Sequence, residues 1–168
     1  MNPIKVLSKK HVYESGPICL QEFSIQQNNQ HLTRVLLSLD SDTALTIPVF
    51  ANGDYLLIKQ YRLGIQDPLL EFPNGGINSG ETPLQAADRE LKEETGALGT
   101  TTALGVFYPL AGLVDLRVHV FKTDIQELNQ QELEAYEDIE LVRLSPQQLK
   151  NTELVDGYVL AALQLLNP

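Results

Sequence analysis

A chain of 168 residues with one cysteine, Cys19, has no internal disulfide to staple it. That thiol is expected to be buried or simply tolerated, in a reducing cytoplasmic setting. Long apolar runs are also missing. The opening stretch MNPIKVLSKKHVYESG has no apolar segment of signal-peptide length, and no later run would cross a bilayer, so neither a secretory leader nor a membrane partner is expected. Positive charge is scarce: 12 Lys and Arg stand against 22 Asp and Glu, a formal charge of −10, which opposes nonspecific binding to nucleic acid or anionic lipid. Repeats, low-complexity tracts and Pro/Gly/Ser linkers are absent as well, so residues 1–168 are expected to be one domain, with N-terminal strands in 1–40 and the core in 41–168. A hydrophobic content of 43% argues against disorder.

What is present divides into a strand-rich first half and abrupt helix signals after it. Residues 18–27 and 32–39 are apolar-rich runs separated by QQNNQ, a plausible hairpin turn. Residues 44–50 and 54–61 flank Asn52-Gly53, the strongest short hairpin signal in the chain. Thr82-Pro83-Leu84-Gln85 has the spacing of a capping box with proline at the first helical position. Leu84, Ala87 and Leu91 then give one buried stripe, and Gly96 supplies the left-handed residue that ends the helix. Further strands fit 103–108, 116–122 and 137–144. Ser145-Pro146-Gln147-Gln148 repeats the capping pattern, and 152–166 reads as a final apolar helix. Strands mixed with a few helices, outside strict βαβ alternation, predict an α+β fold, an α/β/α sandwich.

The segment RELKEETG, residues 89–96, is the unusual one. On a helix over 83–95, Glu90, Glu93 and Glu94 sit at i, i+3 and i+4, so their carboxylates reach toward overlapping space. Their mutual repulsion and the negative helix C-terminus each cost on the order of 0.3–1 kcal/mol, with the same sign. Arg89 is placed to pair with Glu93, and Asp88 with Lys92. A solvated acidic face is the plain explanation. A hard divalent cation held by carboxylate oxygens is the better one, and an oxygen-only set favours Mg²⁺ or Mn²⁺ over zinc.

The pattern Gly75-x5-Glu81-x7-Arg89-Glu90-Leu91-x-Glu93-Glu94-x-Gly96-Ala97 resembles the Nudix box, the signature of hydrolases acting on nucleoside diphosphates linked to another moiety. Ala97 departs from the larger aliphatic residue usual there. The resemblance implies a Nudix fold with a mixed central sheet and a carboxylate-bearing catalytic helix. It implies Glu90 and Glu94 as principal metal ligands and Glu93 as a further ligand or water-activating group held by Arg89. Glu81 would be an auxiliary ligand or an acid supporting the ligands. Gly75 would let the loop turn so that the Asn74 carbonyl also faces the metal.

IKQYR at 58–62 followed by LLEFPNGGINSGE at 69–81 is similar to the branch of this family that cleaves ADP-ribose and nucleoside diphosphate sugars. By that similarity Arg62 contacts phosphate or the distal sugar and Glu71 shapes the pocket. LAGLVDLR at 110–117 keeps Gly112, Asp115 and Arg117 of a branch motif that also contacts substrate, but has Ala111 and Leu116 where proline and glutamate are usual. ELEAYEDIEL resembles an acidic loop carrying a ligand or general base. Glu137 matches best, and Ala135 stands where some relatives have a catalytic glutamate, with Glu134 adjacent. The expected reaction is Mg²⁺-dependent hydrolysis of a pyrophosphate bond, with Glu93, Glu134 or Glu137 taking the proton from water. The substrate would be a small nucleotide sugar, and the assembly a homodimer built by N-terminal strands, as in that branch. The alternatives are a non-catalytic nucleotide sensor, or a hydrolase of damaged nucleoside triphosphates or dinucleoside polyphosphates.

His11, His31 and His119 make no ligand-spaced pair in sequence, and His119 is expected to be a structural residue of a strand. Tyr13 and Phe23 are expected to pack in a core rather than stack on a base. The stripe Leu154, Val155, Tyr158, Val159, Ala162, Leu163 and Leu166 reads as core or dimer surface.

Overall fold

The computed structural model describes residues 3–153 and 155–167. Its first strands are β1 (Lys5–Ser15), β2 (Ile18–Gln27), β3 (Gln30–Leu39), β4 (Thr43–Val49), β5 (Tyr55–Arg62), β6 (Asp67–Glu71) and β7 (Asn74–Gly76). Helix α1 (Pro83–Thr95) follows, then β8 (Ala97–Phe107), β9 (Val114–Asp115), β10 (Val118–Leu128) and β11 (Ile139–Leu144). The last elements are α2 (Pro146–Lys150) and α3 (Gly157–Leu166).

Two compact units can be separated. The first comprises Met1–Asp42 and Tyr108–Arg117 and holds a four-stranded sheet in the order β1-β2-β3-β9. Its β2–β3 turn is the QQNNQ segment: Asn28 and Asn29 have φ of 50° and 62°, the left-handed pair that a type I′ hairpin demands and asparagine tolerates. Strand β1, absent from the sequence-based expectation, pairs antiparallel with β2 and is exposed along its whole length. Tyr13 on it is exposed rather than part of a core. The Phe23 ring carries the Lys9 ammonium 5.5 Å from its centroid. Cys19 is buried, as expected of a tolerated thiol.

The second unit comprises Thr43–Phe107 and Val118–Pro168. Its mixed sheet runs β11-β5-β4-β10-β8, with β6 added to β5 and β7 to β4. Strands β4 and β10 are parallel, and the neighbouring pairings are antiparallel. Alternation places Leu45, Ile47, Val118 and Val120 in a cluster with Val159 and Ala162 of α3. Ala44 and Phe121, of opposite parity, pack with Ala86 and Ala87 of α1. Helices therefore cover both faces of the sheet, giving the expected α/β/α layering. Leu84 is exposed, and Ala86 takes its place in the buried stripe with Ala87 and Leu91.

Several boundaries differ from the sequence pattern for identifiable reasons. The Asn52-Gly53 turn forms, yet β4 and β5 pair only at Val49–Tyr55 before β4 turns to β7 and β5 to β6 and β11. Strand β8 starts at Ala97 because its polar Gly-Thr-Thr-Thr stretch pairs with β10. Helix α3 starts at Gly157 instead of residue 152: Val155 bridges to Leu70, the Asp156 N–H donates to the Leu70 carbonyl, and the Asp156 carboxylate caps Tyr158. Val159 and Ala162 of the expected stripe are core, while Val155, Tyr158, Leu163 and Leu166 pack at its margin. Leu154 of that stripe lies outside the described residues. Among the described residues no helix is long and apolar enough to cross a membrane.

Candidate active site

Helix α1 is delimited by its own side chains. Thr82 and Gln85 form the capping box, Pro83 opens the first turn, and Gly96 at φ 71° donates its N–H to the Lys92 carbonyl. A side chain on Gly96 would also run into the Asn129 carbonyl, so this position needs glycine for space as well as for φ. Ala86, Ala87 and Leu91 anchor the inner face, which aims Glu90, Glu93 and Glu94 toward one cleft of about 420 Å³.

Arg89 is the hub of that helix. Its Nε donates to Glu81 Oε1 at 2.8 Å, and Nη1 donates to Glu90 at 2.7 Å and to Glu93 at 3.0 Å. Its Nη2 donates to the Gly76 carbonyl at 2.9 Å and to Glu81 Oε2 at 3.0 Å. Three acids and the end of β7 are thus tied to one guanidinium. Glu81 pulls the Arg89 pKa further up than the other acids do, and Arg89 in turn holds the Glu81 carboxyl below its usual range. The expected Asp88–Lys92 pair does not form. Lys92 reaches Glu132 at 2.8 Å, and Asp88 accepts from Thr101 at 2.6 Å.

Glu94 is only 5% exposed and accepts the Asn74 N–H at 3.0 Å. Burial, reinforced by the charge of Glu90, pushes its pKa up to about 9. Burial also raises Glu90, against the opposing pull of Arg89. Gly75 is a strand residue paired with Ala44, outside the left-handed region, so it does not serve as a turn. A Cβ there would fall on the Glu90 carboxylate: close approach is what requires glycine. Asn74 meets the cluster through its backbone N–H, and its side-chain amide donates to the Phe72 carbonyl at 2.8 Å.

The opposite wall comes from β5 and from the segment between β10 and β11. Arg62 grips the buried Glu71 through Nε and one terminal nitrogen, a fork that fixes the guanidinium at the cleft. Residues 129–138 are clasped onto the end of α1 by four contacts. Asn129 N–H donates to Gly96 O at 2.8 Å, Glu132 N–H to Glu93 O at 2.8 Å, and Gln131 Nε2 to Glu94 O at 2.7 Å, with the Lys92–Glu132 ion pair beside them. Gln131 also donates to the Ile139 carbonyl at 3.3 Å. The clasp brings Glu134 and Glu137 to the cleft, where the Glu134 N–H donates to Glu137 Oε2 at 2.9 Å.

Of the residues singled out in the sequence, Arg62, Asn74, Arg89, Glu90, Glu93, Glu94, Glu134 and Glu137 line this one cleft. Glu71 and Glu81 stand behind it, holding Arg62 and Arg89. Arg117 belongs to the first compact unit, where it pairs with Asp42 at 2.8 Å. Gln60 and Tyr136 also line the cleft and were not singled out. Tyr136 follows directly on the acidic Glu134 pattern, and the β-strand parity of Gln60 with Arg62 was a usable signal. Gln131 carried none, because its role depends on a long-range fold-back.

The donor set is all oxygen, it includes two carboxyls that burial makes costly to ionise, and Gly75 clears the space beside one of them. These residues fit a hard divalent cation such as Mg²⁺.

A NUDIX domain model matches residues 41–163, and the chain belongs to that family; it is a Nudix hydrolase. It is 25% identical to the ADP-ribose pyrophosphatase of Bacillus subtilis (strain 168), over 96% of this chain and 91% of that protein. It is 52% identical to the ADP-sugar pyrophosphatase of Mus musculus over a shorter stretch, 35% of this chain and 29% of that one. A crystal structure of an ADP compounds hydrolase superposes with a TM-score of 0.82 at 22% identity, covering 99% of this chain and 93% of that chain, which establishes the fold.

Proposed function

We propose that the chain hydrolyses the pyrophosphate bond of ADP-ribose or a related nucleoside diphosphate sugar in the presence of Mg²⁺, with Mn²⁺ as a substitute. The products are a nucleoside monophosphate and a sugar phosphate. The observation that carries this reading is the meeting of Glu90, Glu93 and Glu94 with Glu134, Glu137 and Arg62 on one cleft. The names of the Bacillus and mouse relatives support the substrate class. The cleft volume is within the range of small-molecule sites.

Glu90 and Glu94 would hold the cation, with Glu93 and the Asn74 carbonyl as further ligands, and when bound it neutralises the diphosphate and acidifies the attacking water. Water adds to one phosphorus, the bridging P–O bond breaks, and the proton passes to Glu137, with Glu134 and Glu93 as the other candidate bases. Arg62 offers phosphate the donors that Glu71 does not use. Arg89 places Glu90 and Glu93, and Glu81 places Arg89. Arg117 is assigned to substrate on its motif position alone.

In this reading residues 1–168 act as one functional domain, in a reducing cytoplasmic setting that suits the single thiol. The working form is a homodimer, supported by the exposed Val6, Val12 and Tyr13 on edge strand β1.

The test is a phosphate-release screen coupled to a phosphatase, over ADP-ribose, ADP-glucose, GDP-mannose, UDP-glucose, dinucleoside polyphosphates and nucleoside triphosphates, with Mg²⁺ or Mn²⁺. ADP-ribose or an ADP-sugar should be the best substrate, and Glu93→Gln or Glu94→Gln should lower turnover by about 10²–10⁴-fold. Binding without hydrolysis of any of them would point instead to a sensor.

A further inference from the structure

The β1–β2 hairpin carries a second constellation, made of different ligand types. In a regular strand His11 and Glu14, three residues apart, face opposite sides of the sheet. The register here shifts between His11 and Tyr13, with His11 opposite Gln21 and Glu14 opposite Cys19. Such an irregularity re-aims side chains, and it turns both His11 and Glu14 toward Cys19. His11 Nδ1 lies 3.4 Å from Cys19 Sγ and 3.9 Å from Glu14 Oε2. All three potential ligand atoms fall within 4.8 Å of one another.

We propose that His11, Glu14 and Cys19 form a zinc site. In a tetrahedral zinc centre, Zn–S near 2.3 Å and Zn–N or Zn–O near 2.0–2.1 Å set neighbouring ligands about 3.4–3.6 Å apart. The His11–Cys19 separation already matches, and the His11–Glu14 separation needs only a small side-chain adjustment. Imidazole, thiolate and carboxylate are the donors zinc accepts, whereas the oxygen-only set on α1 suits Mg²⁺. Thiolate and carboxylate together carry two negative charges, which one Zn²⁺ cancels, and the thiol proton leaves to solvent on binding.

The surroundings suit a bound ion. Gln21, itself buried, donates its side-chain amide toward Cys19 Sγ at 3.6 Å, which orients the sulfur. Cys19 lies beneath, while His11 and Glu14 are mostly exposed, so metal enters from solvent and water fills the fourth position. The site is independent of the hydrolytic reading.

The full-length chain, stripped with chelator, would be loaded with zinc, passed through a desalting column in excess Mg²⁺, and assayed for metal by plasma emission. Wild type and Glu90→Gln should each retain one equivalent of zinc per chain. Cys19→Ser and His11→Ala should lose it. Cobalt loading should give wild type a thiolate-to-metal charge-transfer band that Cys19→Ser lacks. Because the His11 side chain is largely exposed, His11→Ala should unfold at the temperature of metal-free wild type, which separates ligand loss from misfolding. Zinc that washes out of wild type, or that survives in either variant, overturns the proposal.

Discussion

Gly75 and Glu90 are in contact, backbone against carboxylate, with no room for even one methyl group between them. The first lies on a strand and the second on a helix, so the position of a metal-ligand candidate depends on the absence of a side chain elsewhere. Gly75→Ala should therefore displace Glu90 without disturbing a turn. Turnover is expected to fall on the order of 10²-fold, the scale of a misplaced reacting group. Stability should change much less than turnover, because the clash falls on the far end of the Glu90 side chain, which can swing aside. Steady-state kinetics in Mg²⁺ and thermal unfolding measure the two effects; unchanged turnover would contradict the placement of Glu90.

Glu94 makes stability depend on pH. Its carboxyl is raised from 4.5 to about 9 in the folded chain, so between those values the native state keeps a proton that the unfolded state has released. Stability that is fully present below the lower value is then lost as pH rises through this window, and Glu90 contributes with the same sign. In EDTA the melting temperature should fall from about pH 5 to about pH 9. Saturating Mg²⁺ should flatten the slope, because it binds the ionised form, and Glu94→Gln should flatten it without metal.

Arg89→Lys removes a fork that holds Glu81, Glu90 and Glu93 together. An ammonium cannot reproduce that planar geometry. A loss of about tenfold or more in kcat is expected. Lys92→Ala, which removes the exposed ion pair with Glu132, should cost much less. Equal effects of the two substitutions would argue for general electrostatics instead of placement.

Gln131 bridges the Glu94 and Ile139 carbonyls and so holds the segment bearing Glu134 and Glu137. Gln131→Ala should loosen that segment, lowering kcat by roughly tenfold while stability changes by about 1 kcal/mol. Hydrogen exchange should quicken in residues 129–138 and stay slow in α1.

Much of the site was legible because its rules are local. The Thr82 capping box, the Gly96 stop and the i, i+3, i+4 acids follow from neighbours a few residues apart, and α1 runs from Pro83 to Thr95 as that spacing requires. The asparagine turn after β2 was legible for the same reason. Strand β1 was not, since an exposed edge strand has no one-sided apolar pattern to betray it. The start of α3 was not legible, because Val155 and Asp156 are drawn to Leu70, far away in the chain. Gly75 was recognised, but its reason is a distant carboxylate, which no local pattern encodes.

The sequence by itself determined the helix that bears Glu90, Glu93 and Glu94, since capping and helical periodicity act between near neighbours. Only tertiary structure decided which acids point into the cleft and which stand behind it holding Arg62 and Arg89. It also decided that residues 129–138 fold back on α1 and that His11, Glu14 and Cys19 meet. These outcomes rest on contacts between segments far apart in the chain, or on strand register, and burial and pairing geometry settle them only once the sheets are assembled.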